Sequence, residues 1–226
     1  MSTNGVSFRS ITKISKWLVN WTIAIIIITV VNSVFFSANP VSSSNLSYSE
    51  VGFVTVLISL TNLLIVIAVG IITLIWFYRA NKNIHAFGAK DVSSPRMAVI
   101  WWFIPIANIW KPYQVAQQIW KASDPQIVRS NGTEWKKSPN SNTIKIWWLL
   151  GILSILVSVS LQFFFPTVSA QFLFEHTYEE GESTIFNEQQ LQIVVSSIIG
   201  IISSIFFIRM IKQVSGRQEI KGGRSI

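Results

Sequence analysis

Apolar residues in this chain fall into long unbroken blocks rather than into a helical or strand period. Four blocks, at about 17–36, 51–78, 146–165 and 191–208, reach the roughly 20 residues with which a helix crosses a hydrocarbon core of about 30 Å. None carries Lys, Arg, Asp or Glu in its interior. A fifth apolar stretch, 97–110, has 14 residues and Pro105 in its middle. At that length a re-entrant or interfacial segment is expected, not a crossing. The pattern predicts an all-α fold: one membrane domain over 1–226, an integral four-helix bundle with an interfacial segment at 97–123 and a disordered basic tail from about 213 to 226.

The charges sort with these blocks. With four crossings, one side holds the N-terminal tail with 3 basic residues, the 79–145 loop with 10, and the C-terminal tail with 5, which accounts for all 18 Lys and Arg. The other side holds 37–50 and 166–190, with six of the ten acids (Glu50, Glu175, Glu179, Glu180, Glu182, Glu188) and no basic residue. Cytoplasmic loops carry an excess of Lys and Arg, so both termini and the long loop are expected inside. A fifth crossing at 97–110 would put Lys121, Arg129, Lys136, Lys137 and Lys145 outside and break the partition. The first block is longer than a signal-peptide core and is expected to be retained.

Composition narrows the function classes. Hydrophobic residues make up 50%, charged residues 12%, and mean hydropathy is +0.47; soluble domains carry about twice that charge. No cysteine is present, which excludes disulfides, thiolate metal sites and cysteine nucleophiles. The two histidines, His85 and His176, fall on opposite sides, so no metal site and no cofactor is expected. The net charge of +8 and the Trp residues among the basic ones suit nucleic acid in a soluble protein. At the inner face of a membrane, anionic lipid headgroups are the nearer polyanion, and no nucleic acid is expected.

Small residues recur at four-residue intervals: Ser196, Gly200 and Ser204 in the fourth block, Ser154 and Ser158 in the third. Such stripes serve close helix packing, either within one bundle or between copies in a homo-oligomer. Within the blocks the polar groups are Asn20, Asn32, Asn62, Gln162 and hydroxyls. Ionisable relays and general acids or bases at membrane depth are missing, so no enzyme is expected. A small-solute transporter or oligomeric channel, with Asn62 and Gln162 near its path, is the alternative.

The region 76–123 carries the most specific pattern. On a continuing helix Trp76, Arg79 and Asn83 share a face, and Arg79 at headgroup level can bind phosphate. Asn108 is placed to close a turn, and Pro112 suits a helix start, where its missing N–H is not needed. The helix that follows puts Val115, Ala116, Ile119 and Trp120 on one side and Gln114, Gln117, Gln118 and Lys121 on the other, an amphipathic element for the interface. The Tyr78-Arg79-Ala80…Asn83 element, Trp102-Phe103-Ile104-Pro105-Ile106…Asn108, Pro112 and the Trp120-x-Ala122-Ser123 ending resemble, in order and spacing, a bacterial membrane family catalogued as domain of unknown function 4328. The resemblance implies a multi-pass protein of a bacterial inner membrane and names no substrate or catalytic residue. The expected function is that of a non-enzymatic membrane component that binds anionic headgroups or a membrane-protein partner through Arg79, Asn83, Trp102, Pro105, Asn108, Pro112 and Trp120.

Overall fold

The computed structural model describes the backbone at residues 7–38, 48–127, 132–164 and 182–223, and side chains at 7–34, 56–127, 132–157, 159 and 194–223. Seven helices and no strand occur among the described residues: α1 (Thr12–Ala38), α2 (Tyr48–Ala86), α3 (Met97–Ile100), α4 (Pro105–Asn108), α5 (Lys111–Ala122), α6 (Asn142–Phe164) and α7 (Glu182–Gly223), with a 3-10 turn at Glu134–Lys137. Three of them contain stretches long and apolar enough to cross a membrane, Thr12–Val34, Val56–Ala86 and Val194–Gly223. Helix α6 runs for 23 residues. The 37–50 and 166–190 segments on which the acidic side was counted lie largely outside the described residues, as does the side chain of Gln162.

The long helices pack in a row, α6 on α7, α7 on α1 and α1 on α2, while α2 is not packed along α6. Helices α3 and α5 close this gap at one end, where they lean on α2, and α5 also on α6. At 39 and 42 residues, α2 and α7 are about 60 Å long, roughly twice a hydrocarbon core. Their extra turns meet the start of α1 and the short helices at one end, and the buried core gathers there: Ile11 just before α1 and Leu18 within it, Trp76, Phe77, Ala80 and Ile84 of α2, Val115 and Ile119 of α5, Met210, Ile211 and Val214 of α7. That end also carries the N-terminal, central and C-terminal basic segments.

The disordered tail expected from about 213 is corrected. Helix α7 continues to Gly223, with Val214, Ser215 and Gln218 buried. The charge and glycine content of the tail suggested a solvated coil, but Phe207, Met210, Ile211, Val214 and Gln218 recur at helical spacing and seat one face on the core. Helix α2 ends because Gly88 takes φ +81°, which side-chain-bearing residues rarely adopt, and Ala89 N–H then returns to the Ile84 carbonyl at 3.0 Å. Helix α6 starts after Ser141, whose hydroxyl accepts from the Ile144 N–H at 3.4 Å.

Candidate functional site

The seven residues singled out in the sequence do not converge on one site; they divide between a hydrogen-bonded junction and a protruding tip. In the junction, Trp76 is buried and its indole N–H donates to Ser15 Oγ at 3.0 Å. Asn83 lies on the same face, but it is buried rather than available at headgroup level. Its Nδ2 donates to the Arg9 carbonyl (2.9 Å) and to Gln218 Oε1 (2.8 Å), and its Oδ1 accepts from Arg9 N–H (3.1 Å). Its amide is thus committed to α7 and the N-terminal segment. Arg79, between the two on that face, is half-buried and makes no salt bridge among the described residues.

The C-terminal turns of α7 complete the junction. Gln218 Nε2 donates to the Ala80 carbonyl (2.9 Å) and to Ser123 Oγ (3.0 Å). Glu219 Oε1 accepts from Ser10 Oγ, Ile11 N–H and Thr12 Oγ1 at 2.6, 3.2 and 2.9 Å, a carboxylate at the positive end of α1. Lys221 Nζ donates to the carbonyls of Ala122 and Asp124, both at 2.9 Å, a cation at the carbonyl end of α5. Arg217 lies 3.4 Å from the Trp120 ring centre and donates to the Trp120 carbonyl at 3.3 Å.

Trp120 is half-buried, and its indole N–H donates to the Pro139 carbonyl at 3.2 Å. Helix α5 packs on α2 and α6. Its apolar residues Val115, Ala116, Ile119 and Ala122 are buried within the protein, and so is Pro112 in its first turn. Gln117, expected on the solvated side, is buried and bonds Ser141 twice, N–H to Oε1 at 2.9 Å and Nε2 to carbonyl at 3.0 Å. It ties α5 to the start of α6.

Asp124 receives the converging charges. Burial pushes its carboxyl up, but the Gln126 N–H, the Ser138 hydroxyl, Arg217 and Lys221 together outweigh burial and hold it below its ordinary value of 3.8. On the exposed side, the Lys136 hydrogen bond and charge lower Asp91 in the same direction.

The tip is built from α3, the 101–104 turn and α4. Pro105 opens α4 after Ile104 enters it in extended backbone, and Asn108 N–H returns to the Ile104 carbonyl at 2.7 Å. Trp102 is half-buried, edge-on to Phe77 and Trp148 with centroids 5.3 and 6.1 Å apart. Its Nε1 is buried with no hydrogen-bond partner among the described residues, and so are both amide atoms of Asn81, a residue shut off from solvent. Around this anchor the apolar side chains point outward: Phe103 is 69% exposed, Ile106 71% and Ile109 57%. Lys111 stands 5.3 Å over the Trp101 ring.

Two cavities lie between the long helices. One, of about 470 Å³, opens in the gap between α2 and α6 and is lined by Gly70, Thr73, Leu74, Trp102, Phe103 and Trp147 among others. The other, of about 250 Å³, is lined by α1 and by Ser196, Gly200 and Ser204 of α7. The small-residue stripe therefore faces space, and a Cβ added at Gly200 would meet nothing within 4 Å. Asn62 is half-buried and lines neither cavity.

A family model described as a domain of unknown function, DUF4328, matches residues 40–216, well over half the chain. The chain belongs to the DUF4328 family. The match covers the tip, both cavity walls on α2 and α6, and α5. It stops just short of Arg217, Gln218, Glu219 and Lys221 and begins after the N-terminal segment that they clamp. No curated protein and no solved structure matches the chain.

Sequence reasoning missed Asn81, Asp124, Ser141 and Arg217, Gln218, Glu219 and Lys221 of α7, and it put Gln117 on the solvated side. Only the α7 group left a readable signal, the helical spacing that continues from Phe207 to Gln218.

Proposed function

We propose that this DUF4328 protein is a non-enzymatic component of a bacterial inner membrane that grips anionic lipid headgroups with its tip. The chain crosses four times, through α1, α2, α6 and α7. Both termini and the 79–145 loop face the cytoplasm, on the strength of a charge partition without exceptions. The observation that carries the reading is the exposure of Phe103, Ile106 and Ile109 beside Lys111, at the end of the protein that holds its basic residues. Apolar side chains that enter a leaflet while neighbouring cations meet its phosphates are the chemistry of an interfacial anchor. Helix α5 and the α7 junction then link that anchor to the spans.

The test uses protein purified with its lipids and analysed by native mass spectrometry, with phosphatidylglycerol and phosphatidylcholine offered in equal amount. Preferential retention of phosphatidylglycerol, reduced when Phe103 and Ile106 are both changed to Ser, is the expected result. Equal retention of the two lipids overturns the reading. Topology is checked separately, and the lack of native cysteine makes it clean. An impermeant maleimide applied to intact cells should label Ser43→Cys and leave Ser94→Cys unlabelled.

A further inference from the structure

The headgroup reading leaves the larger cavity without a role, and its construction is that of a receptor for a hydrocarbon chain. Its volume of about 470 Å³ is within the range of roughly 300–1,000 Å³ typical of ligand sites. Its walls are Ile25 of α1, Val69 and Leu74 of α2, and Phe207 of α7, with hydroxyls at Thr22, Thr73, Ser203 and Ser204 and no charged residue among its lining. The hydroxyl of Thr22 is spent on the Leu18 carbonyl and that of Thr73 on the Val69 carbonyl, at 2.7 and 2.8 Å. Little remains there to hold a polar solute.

One end of the cleft differs. Trp102 and Phe103 form its floor. Two lysines belong to the segments that meet at Trp102. Lys111 lies over the Trp101 ring, next in sequence to Trp102. Lys145 is exposed one turn before Trp148, which packs on Trp102 and donates to the Ile109 carbonyl of the tip at 2.9 Å. Neither lysine has an ion pair among the described residues. The carboxylates described at this end are engaged elsewhere: Asp91 with Lys136, Glu134 with Lys137, Asp124 with Arg217, and Glu219 with the start of α1. An apolar cleft with positive charge beyond one end is the order of chain and phosphate in a phospholipid.

We propose that the cleft between α2 and α6 holds one acyl chain of an anionic phospholipid whose phosphate lies by Lys111 and Lys145. The proposal rests on the headgroup reading and adds a defined seat to it. The lipid enters sideways through the gap between α2 and α6, with the tip as the floor on which the glycerol rests.

Photolabelling tests this directly. The full-length protein is reconstituted in phosphatidylcholine vesicles containing phosphatidylglycerol with a diazirine near the end of one chain, irradiated and digested. Label should concentrate on the peptides carrying Gly70–Leu74, Trp147 and Ser203–Phe207. Gly70→Leu adds a side chain to the cleft wall, at a position where a Cβ meets nothing within 4 Å. It should lower that label by about tenfold, the effect of losing roughly two buried methylenes. Lys111→Gln with Lys145→Gln should bring phosphatidylglycerol labelling down to that of a phosphatidylcholine probe.

Label spread evenly over the exposed residues of α2, unchanged by Gly70→Leu, overturns the cleft proposal. If phosphatidylglycerol is still preferentially retained in that case, the headgroup reading stands without it. Cleft labelling equal from both lipids overturns the charged seat and the headgroup reading together. Cross-linking of the Gly70 peptide to a second copy assigns the cleft to self-association and also overturns the proposal.

Discussion

The two halves of α2 are made of one continuous helix and live under different rules. From Val56 to Ile75 most of its large side chains are exposed, among them Leu60, Leu63, Leu64, Val66, Ile67 and Ile71. From Trp76 to Ala86, Trp76, Phe77, Ala80, Asn81, Asn83 and Ile84 are all buried. The first half is the more apolar of the two, so hydropathy alone would place it deepest. In a bilayer such a surface needs no protein cover, because lipid tails are as apolar as leucine and give helices no hydrophobic reason to associate. On the proposed topology the second half projects to where water and headgroups compete, and there burial, hydrogen bonds and charge pairing each have something to oppose. Specific tertiary structure is accordingly concentrated at the basic end, while the long helices stand apart enough to leave two cavities.

If this contrast is right, substitutions in the two halves must differ sharply in unfolding experiments in micelles. The largest loss is expected for Trp76→Ala, about 3–5 kcal/mol, because it empties a fully packed site and strands Ser15 Oγ. Gln218→Leu keeps the volume but leaves Ser123 and one Asn83 donor without their partner. A loss of about 2–3 kcal/mol is expected, and a smaller one would mean that the junction is less closed than its distances indicate.

A gentler probe is pH. The Asp124 carboxyl is lowered in the folded state, so its contribution is fully present above the ordinary value near 3.8 and is lost as pH falls through the lower folded value. The midpoint of thermal unfolding should therefore fall more steeply with acid, below about pH 4, in the natural protein than in Asp124→Asn. Least of all is expected from Leu64→Ala, whose side chain is 67% exposed: within about 0.5 kcal/mol of the natural protein. A loss as large as that of Trp76→Ala would erase the distinction between the halves.

The features of the candidate site were unevenly legible. Pro112 in the first turn of a helix, the turn at Asn108 and the apolar 97–110 stretch follow from local backbone chemistry, and the structure has them. Asn83 was noticed for the right helical face, but its partners lie 74 and 135 residues away. No local pattern distinguishes an asparagine that binds a ligand from one that binds Gln218. Charge also misled at the C-terminus, where Arg217, Glu219 and Lys221 read as a solvated tail although each is fixed against a helix end or ring.

What the amino-acid sequence determined by itself is the class of the protein: helical, with stretches long and apolar enough to cross a membrane, and a member of the DUF4328 family. Those properties are sums over neighbouring residues, such as hydropathy along a block or motifs within one segment, and need no knowledge of which parts meet. Only the tertiary structure decided that α7 runs on to clamp α1, α2 and α5, that α5 buries its apolar face in protein, and that α2 and α6 part to leave a cleft floored by Trp102. Each of these depends on pairs of residues far apart in the chain, whose meeting is fixed by packing and hydrogen-bond geometry that no window of sequence contains.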